Sequence, residues 1–172
     1  MKIILVTLLL ALTTLSYSQK IQDIEFVNKI YQIKYPKNWQ LDSSKTMGTD
    51  LLLFAPLENE SDKFKENVNI IIQNLAGQNI DLEKYKLITD KQLENAALDA
   101  KVSESEIVKT GNESFYRTTY AMTQGKLKLK ISSKCFIKND KAFLVTFTSE
   151  IEKYDSYKKI GEEILNTFRL RK

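Results

Sequence analysis

The chain has no histidine, one cysteine, two prolines and five glycines in 172 residues. Without histidine there is no Ser-His-Asp or Cys-His nucleophile system, no His-ligated metal site, and no switch built on an unperturbed side chain titrating near neutral pH. A single cysteine rules out thiolate zinc clusters and intramolecular disulfides. No Gly-x-Gly pair occurs, which removes the glycine-rich loop that cradles phosphates. No cofactor and no metal site are expected, and the chain reads as a non-enzyme.

What is present begins with an apolar opening. Lys2 supplies a positive charge, Ile3 to Leu15 is apolar apart from threonines, and Ser16-Tyr17-Ser18 places small residues where a signal peptidase reads them. Residues 1–18 are expected to be a cleaved signal peptide, cut between Ser18 and Gln19, with the product periplasmic or secreted. The apolar run is shorter than the roughly 20 residues needed to span a bilayer, so no transmembrane span is expected after cleavage. Lipidation is not expected, because the only cysteine is Cys135. Residues 19–172 are expected to form a single, monomeric domain. After cleavage 25 basic residues face 22 acidic ones, a net charge of +3 spread along the chain. That is too little to argue for nucleic acid.

Alternation marks the strands. In Lys29–Tyr35, Tyr31, Ile33 and Tyr35 share the more buried face, Pro36 ends the ladder, and Trp39 caps the core from the following turn. Leu51–Phe54 and Asn67–Leu75 are apolar on both faces and need cover on both. Two segments with helical spacing supply it. Asp81–Leu98 has Asp81 as N-cap, and the C-terminal segment carries Tyr157, Ile160, Ile164 and Phe168 with Asp155 as N-cap. The predicted fold is α+β, an antiparallel β-sheet sandwiched between helices. Val102–Lys109 ends at the Gly111-Asn112 turn. Glu113–Met122 and Lys126–Lys138 flank a two-residue turn at Gln124-Gly125. That register gives one apolar face and one wet, lysine-bearing face. Returning Phe143, Val145 and Phe147 to the apolar face then requires an odd-length loop or bulge near Asn139-Asp140.

The chemical motifs weigh little. Ser156-x-x-Lys159 and Lys109-Thr110-Gly111 match motifs of penicillin-recognising enzymes in reversed order. About 1.6 such Ser-x-x-Lys matches are expected by chance from twelve serines and 23 lysines. Glu58, Glu60 and Asp62 alternate as in a calcium loop but lack its glycine. Glu104 and Glu106 share a strand face at about 7 Å. They are the only basis for a carboxylate hydrolase, the weakest reading. Asn59-Glu60-Ser61 and Asn112-Glu113-Ser114 match the glycosylation sequon by chance, and Cys135 reads as a buried, inert thiol. Lys126, Lys128, Lys130 and Lys134 form a basic strip suited to an anionic membrane surface or an acidic partner, while lysines also serve to keep a sheet soluble. Tyr116, Tyr120, Phe147 and Phe168 are the candidate lining of an apolar pocket between sheet and C-terminal helix, which a small-ligand or lipid carrier would need.

The order of landmarks points further. Ile33-x-Tyr35-Pro36-x-x-Trp39 opens the domain, followed by Phe54-Ala55-Pro56, Asn67-Val68-Asn69-Ile70, and Leu82-x-x-Tyr85. Gly111, Gly125, Phe143-Leu144-Val145-Thr146-Phe147 and Thr167-Phe168 follow. Over residues 22–170 this resembles the PsbP-like proteins, whose fold is shared with Ran-binding Mog-type proteins. Tyr35, Pro36 and Trp39 carry the most specific part. The resemblance implies an antiparallel sheet between helices and a non-catalytic role. Some members are extrinsic subunits of the photosynthetic oxygen-evolving complex, many bacterial ones are exported, and a related group chaperones secreted effectors in the cytoplasm. The signal segment argues against cytoplasmic roles, and the missing histidine against His-dependent ones. The family's closing Ser-Phe is Thr167-Phe168 here. The expectation is an exported binding or accessory protein whose partner is an envelope protein or anionic membrane surface.

Overall fold

A computed structural model of the protein describes residues 23–96, 99–111 and 113–171. The expected signal segment, Leu98 at the end of the first predicted helix and Asn112 lie outside the described residues. The strands are β1 (Asp23–Val27), β2 (Tyr31–Pro36), β3 (Gln40–Asp42), β4 (Leu51–Phe54), β5 (Asn67–Asn74), β6 (Lys101–Thr110), β7 (Glu113–Gln124), β8 (Leu127–Lys138), β9 (Lys141–Glu150) and β10 (Arg169–Leu170). Helix α1 (Leu82–Ala96) lies between β5 and β6, and α2 (Tyr154–Thr167) between β9 and β10.

Seven strands form an antiparallel sheet in the order β3-β4-β5-β9-β8-β7-β6, and β1-β2-β10 form a smaller one. The fold is the predicted α+β arrangement, with one refinement. One face of the large sheet is covered by α1, the other jointly by α2 and the small sheet. On the α2 side Tyr31, Ile33, Tyr35 and Trp39 join Leu51, Leu53, Val68, Ile70, Val145, Phe147, Ile164 and Phe168 in one buried cluster. On the α1 side Leu75, Tyr116, Cys135 and Ala142 form a smaller one, with Leu82 and Tyr85 against it.

The alternation of β2 reads correctly: Tyr31, Ile33 and Tyr35 are all buried. Trp39 is buried in the turn, its N–H donating to the Pro36 carbonyl at 2.9 Å. Asp81 caps α1, its carboxylate accepting the Lys84 N–H at 2.8 Å. The N-cap of α2 is Lys153, not Asp155, and no side chain caps it; Asp155 sits in the first turn, where its charge favours the positive helix end. Gly161 is where α2 meets the sheet. A Cβ built there would lie 2.6 Å from the Phe147 ring.

Both hairpin expectations are corrected. Gln124 pairs with Leu127, so the β7–β8 turn is Gly125-Lys126. Gly125, at φ +62°, takes the first central position, where a two-residue turn of this type needs positive φ. The register is shifted by two residues, an even number, so each side chain keeps its expected face. The β8–β9 turn has two residues, not an odd number: Lys138 pairs with Lys141 across Asn139 and Asp140. Both have positive φ, 51° and 54°, the conformation Asn and Asp tolerate and a tight hairpin selects. Val145 therefore pairs with Lys134 and Phe147 with Ser132. The lysine-bearing face is exposed at Lys126 and Lys128 and half-buried at Lys130 and Lys134. It is the face that α2 covers.

Candidate functional site

A single side of α2 explains how lysines and phenylalanines share a face. Gly161, Ile164 and Phe168, buried, follow one helical stripe over β5, β9 and β2. Lys158, Glu162 and Asn166, at spacing four, follow the adjacent stripe. These three, with Leu165, roof a cleft of about 220 Å³ whose floor is Glu104, Arg117, Thr119, Ser132 and Lys134.

The floor is a grid set by strand pairing. Glu106, Arg117 and Lys134 are cross-strand neighbours on β6, β7 and β8, and Glu104, Thr119 and Ser132 form the next row. A bulge decides the position of Glu104. The β6–β7 register shifts between Val102 and Glu104. Val102, opposite Tyr120, is on the α1 face, yet Glu104, opposite Thr119, is on the α2 face. Strict alternation would have turned Glu104 and Glu106 away from the cleft. The bulge is held locally: Ser103 Oγ donates to the Thr119 carbonyl at 3.1 Å and Thr118 Oγ1 to the Glu104 carbonyl at 3.0 Å.

The polar groups are connected. Arg117 pairs with Glu106, which holds the guanidinium in its charged form. Lys158 faces Glu162 at 3.9 Å. Thr119 Oγ1 donates to Glu104 Oε2 at 2.7 Å and lies 3.1 Å from Ser132 Oγ, which in turn bonds the Tyr154 hydroxyl at 2.5 Å. Lys134 Nζ donates to Asn166 Oδ1 and lies 4.6 Å from the Phe115 ring centre. Burial, and then neighbouring Arg117, pull its ammonium below the usual lysine range.

The basic strip is thus divided. Lys126 and Lys128 are exposed. Lys130 lies 4.3 Å from the Tyr154 ring centre and Lys134 is under α2, because aromatic side chains accept lysine stems and ammonium groups on a covered face. The four pocket aromatics do not come together. Tyr116 and Tyr120 are on the α1 face and Phe147 and Phe168 on the α2 face, since β7 and β9 positions two strands apart share a face only through the register the β8–β9 turn sets. Phe147 and Phe168 are core residues, fully enclosed. Tyr116 donates to Asp90 on α1 at 2.8 Å, as does Ser105 at 2.6 Å. Tyr35, Pro36 and Trp39 are structural, at the edge of the main core.

Other motifs separate as well. Ser156 and Lys159 are exposed on α2, and Lys109-Thr110 ends β6. Asp62 pairs with Lys153 at 2.9 Å, and that hydrogen bond holds its carboxyl down to about 2. Burial pushes the Cys135 thiol up to about 12, consistent with an inert core residue. Among the described residues no group of three or more Cys, Asp and Glu is arranged to hold a metal ion, and no helix is long and apolar enough to cross a membrane. The roof residues Lys158, Glu162 and Asn166 went unread in the sequence, although their spacing of four beside the apolar stripe was a signal.

No family model matches the chain, and no curated protein matches it in sequence. Solved structures do. The cyanobacterial PsbP (CyanoP) of Synechocystis sp. PCC 6803 superimposes with TM-score 0.63 at 14% identity, over 93% of this chain and 99% of that one. The fold is PsbP-like. LpqN of Mycobacterium tuberculosis, described as involved in cell envelope biogenesis, matches with TM-score 0.65 at 12% identity, over 88% of this chain and 91% of its own. A Pseudomonas aeruginosa protein of unknown function matches with TM-score 0.62 at 9% identity, over 87% and 98%. At these identities the PsbP-like likeness concerns the fold.

Proposed function

We propose that the protein is an exported, non-catalytic accessory module that acts in the cell envelope through contact with an envelope protein. The observation that carries this reading is the PsbP-like fold, which spans 88% of the chain in its match to an envelope-biogenesis protein. The apolar opening of residues 1–18 supports export, and the absence of histidine from the sequence supports a role without nucleophilic or His-metal catalysis. Division of the lysine strip favours a protein over a membrane surface. Lys126 and Lys128 are its exposed members, fewer than the roughly four to eight clustered cations of a lipid-binding segment. The carrier reading loses the pocket it was built on, because its aromatics lie on opposite faces.

Crosslinking the tagged protein in its own cells at Lys126 and Lys128, with mass spectrometry of the adducts, tests the proposal. The expected result is a protein in the envelope fraction that begins at Gln19 and carries a stoichiometric protein adduct. Retention of Met1, or recovery of a stoichiometric lipid with no protein, would overturn it.

A further inference from the structure

One end of the molecule collects cations and exposed apolar side chains that neither the cleft nor the core uses. There β2 begins at Tyr31, β4 at Leu51 and β9 at Lys141, and β8 and β10 finish. Three connections meet at this end: the β1–β2 turn (28–30), the β3–β4 loop (43–50) and the β8–β9 turn (139–140). Contacts join them. Asn28 Oδ1 accepts the Ile30 and Tyr31 N–H groups at 2.8 and 2.9 Å. The Arg171 N–H donates to the Ile30 carbonyl at 2.8 Å, and its guanidinium to the Asn28 carbonyl at 2.6 Å. Lys138 Nζ donates to the Arg171 carbonyl at 3.1 Å, and Lys138 faces Lys141 across its turn. The Tyr31 hydroxyl donates to Asp50 at 2.7 Å, and Lys45 Nζ lies 3.8 Å from the same carboxylate. Lys29, Lys45, Lys138, Lys141 and Arg171 are all exposed. Of these five only Lys45 makes an ion pair among the described residues, and a pair this long and exposed is weak. The acids at this end are Asp42, Asp50 and Asp140, so cations are in excess.

Apolar side chains stand out from the same connections. Val27 and Ile30, at the β1–β2 turn, are 48% and 41% exposed, and Met47 in the β3–β4 loop is 86% exposed. An exposed apolar residue standing alone is ordinary; three on linked connections, set among five cations, make a surface. The backbone holds Met47 out. Lys45 and Met47 have φ of 63° and 56°, left-handed values that cost free energy for long side chains and recur where a loop serves contact. A protein interface packs a contiguous apolar centre inside a polar rim. Here Lys45 and Asp50 lie between the apolar tips. A bilayer surface yields around separate tips and offers phosphates to the cations between them. The five cations also fall within the roughly four to eight of a lipid-binding cluster, which Lys126 and Lys128, at the start of β8, do not. We propose that this end of the molecule docks on an anionic membrane surface, with Met47, Val27 and Ile30 entering the interface and the five cations at the level of the lipid phosphates. This docking goes beyond contact with an envelope protein and does not depend on it.

Co-sedimentation of the protein, purified from its own cells, with vesicles of phosphatidylcholine and phosphatidylglycerol tests it, beside vesicles of phosphatidylcholine alone. Binding to the anionic vesicles is expected to be tenfold or more tighter and to weaken as salt is raised. Lys29→Gln and Lys45→Gln should each weaken it about fivefold, the effect of one cation at an anionic surface. Met47→Ser should weaken it about tenfold. Leu57→Ser and Lys126→Gln, both exposed at the opposite end of the sheet, should change it less than twofold. A spin label on the lipid headgroup should broaden the amide signals of Ile30 and Met47 in the unmodified protein and spare that of Lys126. Equal binding to both kinds of vesicle, a control variant as damaging as the end variants, or broadening confined to the β7–β8 turn would each overturn the proposal. So would a Met47→Ser effect below twofold with the lysine effects intact, which would assign this end to an acidic protein.

Discussion

Helix α2 rests on two different floors. Over β2, β5 and β9 it lies on Tyr31 and Phe147, and its closing residue Phe168 packs against Tyr31 and against Phe136 of β8. Phe168 has its ring centre 5.5 Å from Tyr31 and 5.3 Å from Phe136. Beside β8 the same helix borders the cleft floored by Arg117, Thr119, Ser132 and Lys134. The first contact removes apolar surface from water, which is the main source of stability. The second exchanges water for imperfectly matched polar groups, which yields little net stability. One flank of α2 holds it in place, and the other adds little to holding it.

The largest effect is expected on the apolar floor. Phe168→Ala removes a ring that is 1% exposed, and a loss of about 3–5 kcal/mol in urea unfolding is expected. An effect below about 1 kcal/mol would show that α2 is not held there. Gly161→Ala is expected to cost about 1–3 kcal/mol, although alanine is the better helix former by about 1 kcal/mol. The added Cβ meets the Phe147 ring at 2.6 Å, so packing against the sheet outweighs propensity. Equal or greater stability by thermal unfolding would mean the helix shifts freely on its floor.

Smaller effects are expected where α2 begins. Asp62 is held at about 2 by Lys153. A carboxyl depressed on folding adds stability above its unfolded value of about 3.9 and loses it as pH falls toward about 2. Lys153→Met should therefore raise the pH midpoint of acid unfolding. Glu66 shows the opposite sign. Its side chain is fully buried, one oxygen lacks a hydrogen-bond partner, and burial raises its carboxyl above the usual range. Its charge opposes folding at neutral pH, and the opposition disappears as pH falls below its raised value. Glu66→Gln should raise the melting temperature at pH 7, with the gain shrinking in acid. A fall in melting temperature at pH 7 would show that the charge is used.

Much of the apolar floor was legible in the sequence, and little of the polar one. Period-two alternation in β2 and the helical stripe ending at Phe168 identify core residues because burial enforces the period. Family-like spacing around Tyr35, Pro36 and Trp39 pointed to the layer order. The strands β1, β3 and β10 are short, and nothing in their pattern separates them from loop. The cleft escaped notice for three physical reasons. A polar residue at the right period, such as Glu162, looks the same whether it faces solvent or another polar group. The two-residue turn at Asn139-Asp140 puts lysines and phenylalanines on one face, which a simple division into wet and dry faces forbids. The bulge before Glu104 leaves no mark in an alternating polar strand.

The most direct test of the two-floor account is the stability of Lys134→Met combined with Glu104→Gln, by urea unfolding. Methionine keeps the stem of Lys134 over Phe115, so the double variant removes the two charges and little packing. The account expects a midpoint unchanged within about 0.5 kcal/mol, or raised. A loss of about 2 kcal/mol or more would contradict it, because the polar floor would then be holding the helix.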